Sequence, residues 1–204
     1  MDYEARTCAS AGELRIAVRN GVPGPGTLSG YAATFNNLSD PISGPRSTFR
    51  ERIAPGAFSE GMRGDVIACV NHDPSLLLGR TSSGTLRLTE DARGLSFEAD
   101  LPDTQLGRDL ATQVARGDIR GMSFRFNVPS GGDHWAKVGG EWLRTLMRVA
   151  PLIDVSPTTF PAYPDTSVAL RALIAQEEAE AEASLSEAKR IEESRRRRLR
   201  IAGI

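Results

Sequence analysis

Residues Arg116-Gly-Asp-Ile-Arg-Gly-Met-Ser-Phe-Arg-Phe126 begin where a helix ends and continue as a strand. Upstream, Leu106, Leu110 and Val114 recur at i, i+4 and i+8, which predicts a helix over 104–116 with one apolar stripe. Gly117 stands where a left-handed cap is needed, and Asp118 helps to turn the chain. From Ile119 the period becomes two. Met122, Phe124 and Phe126 share one face, and Gly121, Ser123 and Arg125 share the other. Ser123 is therefore expected to point away from the core, beside the bare backbone of Gly121. That suits a nucleophile approached by an extended peptide. A plain strand serine on a solvated face fits the same pattern, and this stretch alone does not separate the two readings.

Working outward, the 204 residues allow one domain plus an extension and are too few for two ordinary domains. A domain of about 150 residues buries roughly 70% of its unfolded surface, so it needs no metal or disulfide to hold a core. A formal net charge of −1 and a pI near 6.2 argue against a nucleic-acid grip by the whole protein. Gly (20) and Pro (12) punctuate the first 165 residues, as in a turn-rich, mainly β domain. The two cysteines, Cys8 and Cys69, do not make a disulfide framework, so a reducing compartment is expected. Two Cys and two His without close spacing argue against a structural zinc site. With no apolar run near 18 residues and no signal segment, the chain reads as soluble and cytoplasmic, with no membrane partner.

Along the chain, residues 1–12 are polar and small and read as a disordered leader. Strands are expected around Leu14–Val18, through Leu28 to Phe35, and over Phe49–Ile53, followed by a short helix over 55–62 that starts at Pro55. Val66, Ala68, Val70 and His72 alternate along a further strand that ends at Asp73-Pro74, which puts His72 inward at its end and Cys69 on the opposite face. A hairpin is expected over 84–101. After the Ser123 strand come a loop from Ser130, a turn over Val138–Glu141, a strand from Trp142, and a short strand Leu152–Val155 closed by Ser156-Pro157. Val168–Leu170 is a candidate last strand. Beyond it, acids lead and bases follow, as a helix macrodipole favours. That tail reads as a solvated helix or one that orders on a partner. The expected divisions are 1–12, 13–172 and 173–204.

Serine needs a base within hydrogen-bond reach to act as a nucleophile at neutral pH. Of the two histidines, His134 lies in a Gly-rich stretch expected to be an exposed loop, whereas His72 ends a patterned strand and can be held. A third group must fix the ring tautomer, and Asp154 is the first choice, although an Asp before Val-Ser-Pro also fits a local turn bond. His134 and Glu141 are the alternatives. No phosphate-cradling loop and no His-Glu-x-x-His signature is present, so no cofactor is expected.

Several segments, taken in order, resemble the prohead protease family of tailed phages, the capsid-maturation serine peptidases. They are Pro55-Gly-Ala-Phe58, Asn71-His-Asp73 with Leu78-Gly-Arg80, Gly94-Leu-Ser-Phe97, Arg116 to Phe124, and Asp154-Val-Ser-Pro-Thr-Thr-Phe-Pro-Ala-Tyr-Pro164. The family is itself similar to herpesvirus assemblin. The resemblance implies an α+β, mainly β fold: a closed or partly closed antiparallel barrel with surrounding helices and a charged C-terminal helix. It implies His72 as general base and Ser123 as nucleophile. The third member is His in the herpesvirus relatives, whereas Asp154 stands in the corresponding segment here. The implied function is a serine endopeptidase that cuts scaffold, or the scaffolding region of the major capsid protein, and itself, inside the assembling prohead in the bacterial cytoplasm. The alternative is a non-enzymatic capsid scaffolding module that binds coat protein through its helical tail.

Overall fold

A computed structural model describes residues 3–8, 14–17, 24–43, 48–159 and 178–191. The chain divides into two units, Met1–Thr166 and Ser167–Ile204. The first carries β1 (Glu4–Cys8), β2 (Arg15–Ala17), β3 (Thr27–Thr34), β4 (Ile42–Ser43), β5 (Thr48–Ile53), β6 (Ile67–Cys69), β7 (Leu77–Arg80), β8 (Leu86–Glu90) and β9 (Gly94–Asp100). It continues with helix α1 (Gln105–Arg116), β10 (Gly121–Phe126), β11 (Asp133–Val138), β12 (Glu141–Leu146) and β13 (Leu152–Thr158). The described part of the second unit is a helix over 178–191, exposed along its length. The strand expected over Val168–Leu170 and the basic run Arg195–Arg198 lie outside the described residues.

The mainly β, α+β expectation holds, but the pairings do not close a barrel. Among the described residues the strands form three open sheets, ordered β1-β10-β13-β6-β7, β11-β12-β5-β4 and β2-β3-β9-β8. Nor are they purely antiparallel, since β13 runs parallel to β6, and β12 parallel to β5. Period-two patterning says which face of a strand is buried, not which strand lies beside it. Parallel neighbours joined by long crossovers leave no short-range mark in the sequence.

The helix α1 forms where its stripe predicts. Thr104 caps it by accepting from the Gly107 N–H, and Gly117, at φ 80°, ends it in the left-handed conformation that a side chain resists. Leu110 and Val114 are buried. From there β10 inserts Met122, Phe124 and Phe126 into the core. Phe58 meets Phe124 edge-on at 5.4 Å, and Phe124 stacks on Phe126 at 5.1 Å.

Two local expectations fail for identifiable reasons. The helix expected over 55–62 is a run of turns ending in a 3₁₀ segment, Gly61–Arg63, because Gly56 takes φ 86° directly after Pro55. Residues 4–8, assigned to a disordered leader, form β1, an edge strand antiparallel to β10 from Glu4↔Phe126 to Cys8↔Met122. Its polar composition was misleading because its charges are buried in pairs. Glu4 is 1% exposed and Arg6 7%.

Candidate active site

The order of the five-stranded sheet gathers the candidate residues. β13 lies between β10 and β6. The β10–β13 register sets Ser123 opposite Ser156 and Arg125 opposite Asp154, so four polar side chains share one face. β6, parallel to β13 with Asp154↔Ile67 and Val155↔Ala68, carries the chain along that face towards His72.

His72 does not end a strand. β6 stops at Cys69, and Val70–His72 is a 3₁₀ turn in which Asn71 (φ 51°) and His72 (φ 61°) are both left-handed. Such a backbone costs about 1–2 kcal/mol per non-glycine residue and must be held by its surroundings. Here the Asp73 N–H donates to the Val70 carbonyl at 3.0 Å, the Thr159 N–H to Asn71 Oδ1 at 3.2 Å, and the His72 N–H to Ser156 Oγ at 3.3 Å. The turn swings the imidazole over β13. Its Nε2 lies 2.6 Å from Ser123 Oγ, and its Nδ1 lies 2.6 Å from Asp154 Oδ1.

With serine, imidazole and carboxylate in one hydrogen-bonded row, the comparison with known families acquires a structural meaning. Residues 15–182 match the family described as caudovirus prohead serine protease. The chain belongs to that family. No curated protein and no solved structure matches it. The matched residues include β10, β13 and the 3₁₀ turn of this family member, whereas β1 precedes them.

Asp154 is fully buried, and its second oxygen and its flank are also filled. Arg125 Nε donates to Oδ2 at 2.6 Å, and the Ser156 hydroxyl donates to Oδ1 at 2.8 Å. Burial pushes the carboxyl upward, but the hydrogen bonds from His72 and Ser156 and the charges of His72 and Arg125 outweigh it and hold the group below the usual carboxylate range. An ionised Asp154 accepts a hydrogen bond from Nδ1–H, which leaves Nε2 as an acceptor for the Ser123 hydroxyl. That hydroxyl has a competitor: the Arg6 backbone carbonyl on β1 accepts from it at 2.9 Å. A serine has one proton and can give it to only one of the two.

The sequence reading missed Arg125, Ser156 and the position of Cys69. The first two were legible in principle, because Ser-x-Arg on one strand and Asp-x-Ser on another put polar groups on one face of otherwise apolar strands. Cys69 was expected on the far face from His72. The left-handed turn breaks the alternation, and Cys69 Sγ lies 3.3 Å from Ser156 Oγ. Burial pushes its thiol up to about 11, so it is not a thiolate at neutral pH. Ser123 also departs from expectation, since it is 0% exposed, with its hydroxyl bonded to the neighbouring strand β1 rather than facing solvent. β13 continues through Ser156 and Pro157 to Thr158, because its pairing with β6 ends at Val155 and Pro157 interrupts no ladder on that side. His134 lies in a strand, not a loop, opposite Thr145. Both His134 and Glu141 are exposed on the β11–β12 hairpin of another sheet, so neither is the third group of this row.

Proposed function

We propose that the chain is a serine endopeptidase of prohead maturation, with Ser123 as nucleophile, His72 as proton carrier and Asp154 as the orienting carboxylate. The observation that carries the reading is the imidazole held 2.6 Å from both the serine oxygen and the aspartate oxygen. Ser123 Oγ bonds to the peptide carbonyl carbon as its proton passes to His72 Nε2. The carbon–nitrogen bond then breaks, and the same proton goes to the departing amine. Water repeats the sequence on the acyl-enzyme, releasing the new carboxylate and restoring the hydroxyl. Asp154 takes no proton; it keeps Nδ1–H in place and favours the imidazolium formed on the way. Arg125 and Ser156 position Asp154 and do not touch the reacting atoms.

The family supports capsid proteins as the substrate class. In this reading the scaffold, or the scaffolding region of the major capsid protein, is cut inside the assembling prohead in the host cytoplasm, and the chain also cuts itself. Residues 13–172 form the protease domain, and 173–204 form a packaging or self-cleavage segment. Ser123→Ala should abolish cleavage of co-expressed coat protein while circular dichroism remains unchanged. An alanine variant as active as the parent would end the proposal. A non-enzymatic scaffolding module would show no labelling of Ser123 by a fluorophosphonate under any condition. Deleting 175–204 should lower incorporation into proheads, and unchanged incorporation would remove the role given to the tail.

A further inference from the structure

The nucleophile is hydrogen-bonded by the chain's own peptide, paired along β10 as an edge strand. Arg6 presents its carbonyl to Ser123 Oγ at 2.9 Å, Thr7 stands opposite Ser123 in register, and among the described residues β1 is paired on one side only, at the sheet edge. This is the geometry by which an extended peptide joins a sheet, main-chain bonds giving affinity and side-chain pockets giving selectivity. β1 also lies outside the residues that match the family, as an added occupant would.

The pockets are explicit. Arg6 Nε and Nη2 reach Glu51 Oε1 and Oε2 at 2.6 and 2.9 Å, and the guanidinium lies over the Phe126 ring at 5.6 Å. Two residues earlier, Glu4 Oε1 and Oε2 accept from Arg144 Nη2 and Nη1 at 2.9 and 2.6 Å. Glu51 and Arg144 also meet each other at 3.0 Å, and Arg144 Nε is held by Asp133 at 2.7 Å. Once β1 is removed, Glu51 Oε1 and Arg144 Nη2 have no other partner among the described residues. With β1 in place, both belong to side chains no more than 3% exposed. Glu51 and Arg144 still pair with each other, so the vacated site keeps one free acceptor atom and one free donor atom, which a cation and a carboxylate at this spacing would fill.

Resting on the protease reading above, we propose that the β10 edge is the substrate-strand site and that β1 is its resident occupant. The site takes an extended peptide with an acidic residue two positions before a basic one, and the bond after the basic residue is cut. Glu51 reads the basic side chain and Arg144 reads the acidic one. While β1 stays in place it occupies the strand position and its Arg6 carbonyl competes with His72 for the Ser123 hydroxyl, so the enzyme rests. The same Glu-x-basic spacing recurs in this chain at Glu13-Leu-Arg15, Glu187-Ala-Lys189 and Glu193-Ser-Arg195.

The test uses the chain lacking residues 1–8 beside the full chain, with folding checked by thermal melting. The probes are a fluorophosphonate and fluorogenic peptides that copy residues 3–8, intact or with Glu4→Gln or Arg6→Gln. The truncated chain should label at Ser123 at least about tenfold faster than the full chain, and full-length Arg6→Glu should also label faster. The intact peptide should be cut after its arginine roughly 10- to 100-fold more efficiently than either altered peptide, and Glu51→Gln should erase the preference for arginine but not the preference for glutamate. If truncation impairs folding, full-length Arg6→Glu carries the same measurements. Fast labelling of Ser123 with no preference among the peptides overturns this inference and leaves the protease reading standing. No labelling in any form overturns both.

Discussion

Asp154 and Glu51 are both buried carboxylates gripped by arginine, 0% and 3% exposed, yet their partners come from different parts of the chain. Asp154 is held by His72, Arg125 and Ser156, all within the family-matched residues and all on neighbouring elements of one sheet. Glu51 is held by Arg144, from the neighbouring β12, and by Arg6, from an edge strand that precedes those residues. Removing one member of a buried ion pair leaves the other desolvated and alone, which is the expensive event. Around Asp154 that event requires unfolding. Around Glu51 it requires only that one strand leave. In the proposed reading the same chemistry makes a fixed orienting group in one place and an exchangeable recognition site in the other.

The largest test of this contrast is catalytic. Asp154→Asn should reduce turnover by about 10⁴, because an amide no longer selects the tautomer that leaves Nε2 free. Glu51→Gln should act an order of magnitude or more below that, costing about 10- to 100-fold in kcat/KM on peptides with a basic residue before the cut. Steady-state kinetics on the truncated chain measure both. Equal losses from the two substitutions would show that the two acids do the same job.

Stability gives the next test. Arg125→Met leaves Asp154 Oδ2 without its donor in a buried position. With Arg125 itself partly exposed, urea unfolding should show a loss of about 1–3 kcal/mol. Acid should show the same dependence. The carboxyls of Asp154 and Glu4 are both depressed in the folded chain; Glu4 is raised by burial but lowered more by the hydrogen bond from Arg144 and the charges of Arg6 and Arg144. Between the depressed and the ordinary values the unfolded chain binds more protons. The stability these groups contribute is therefore full above the ordinary carboxylate range and is lost as pH falls through the depressed values. Glu4→Gln should flatten that acid loss, and hydrogen exchange should show β1 opening before the rest of its sheet. Simultaneous opening of β1 and β13 would remove the distinction between exchangeable and fixed.

Much of this arrangement was legible from residue order. The α1 stripe, its Gly117 stop and the alternation through Phe126 are local signals, and each appears where the pattern puts it. Ser123, His72 and Asp154 are readable as chemical types without knowledge of their spatial neighbours. Two things were not legible. Sheet order is a non-local choice among strands of similar pattern, so the parallel β6–β13 pairing that brings His72 to Asp154 left no trace in spacing. β1 looked like a polar leader because hydropathy cannot distinguish a charge in water from a charge paired in a core. Glu4 and Arg6 are adjacent on one strand face and pair with each other at 2.6 Å, and Glu51 and Arg144, distant in sequence, complete the pairing that lets them be buried.

The smallest expected effect concerns Asn71, where strand alternation failed. Its φ of 51° suits glycine, while its Oδ1 accepts the Thr159 N–H at 3.2 Å. Asn71→Gly relieves backbone strain and loses that bond, two terms of similar size and opposite sign, so unfolding free energy should change by less than about 1 kcal/mol. Asn71→Val loses the same bond and adds a β-branched side chain to a left-handed position, a further cost of about 1–2 kcal/mol. The useful quantity is the difference between the two. If the left-handed turn holds the imidazole over β13, Val should lower turnover well below Gly at equal protein concentration. If Val and Gly turn over alike, the ring is held by Asp154 and Ser123 alone, and the turn is only the route by which the chain reaches them.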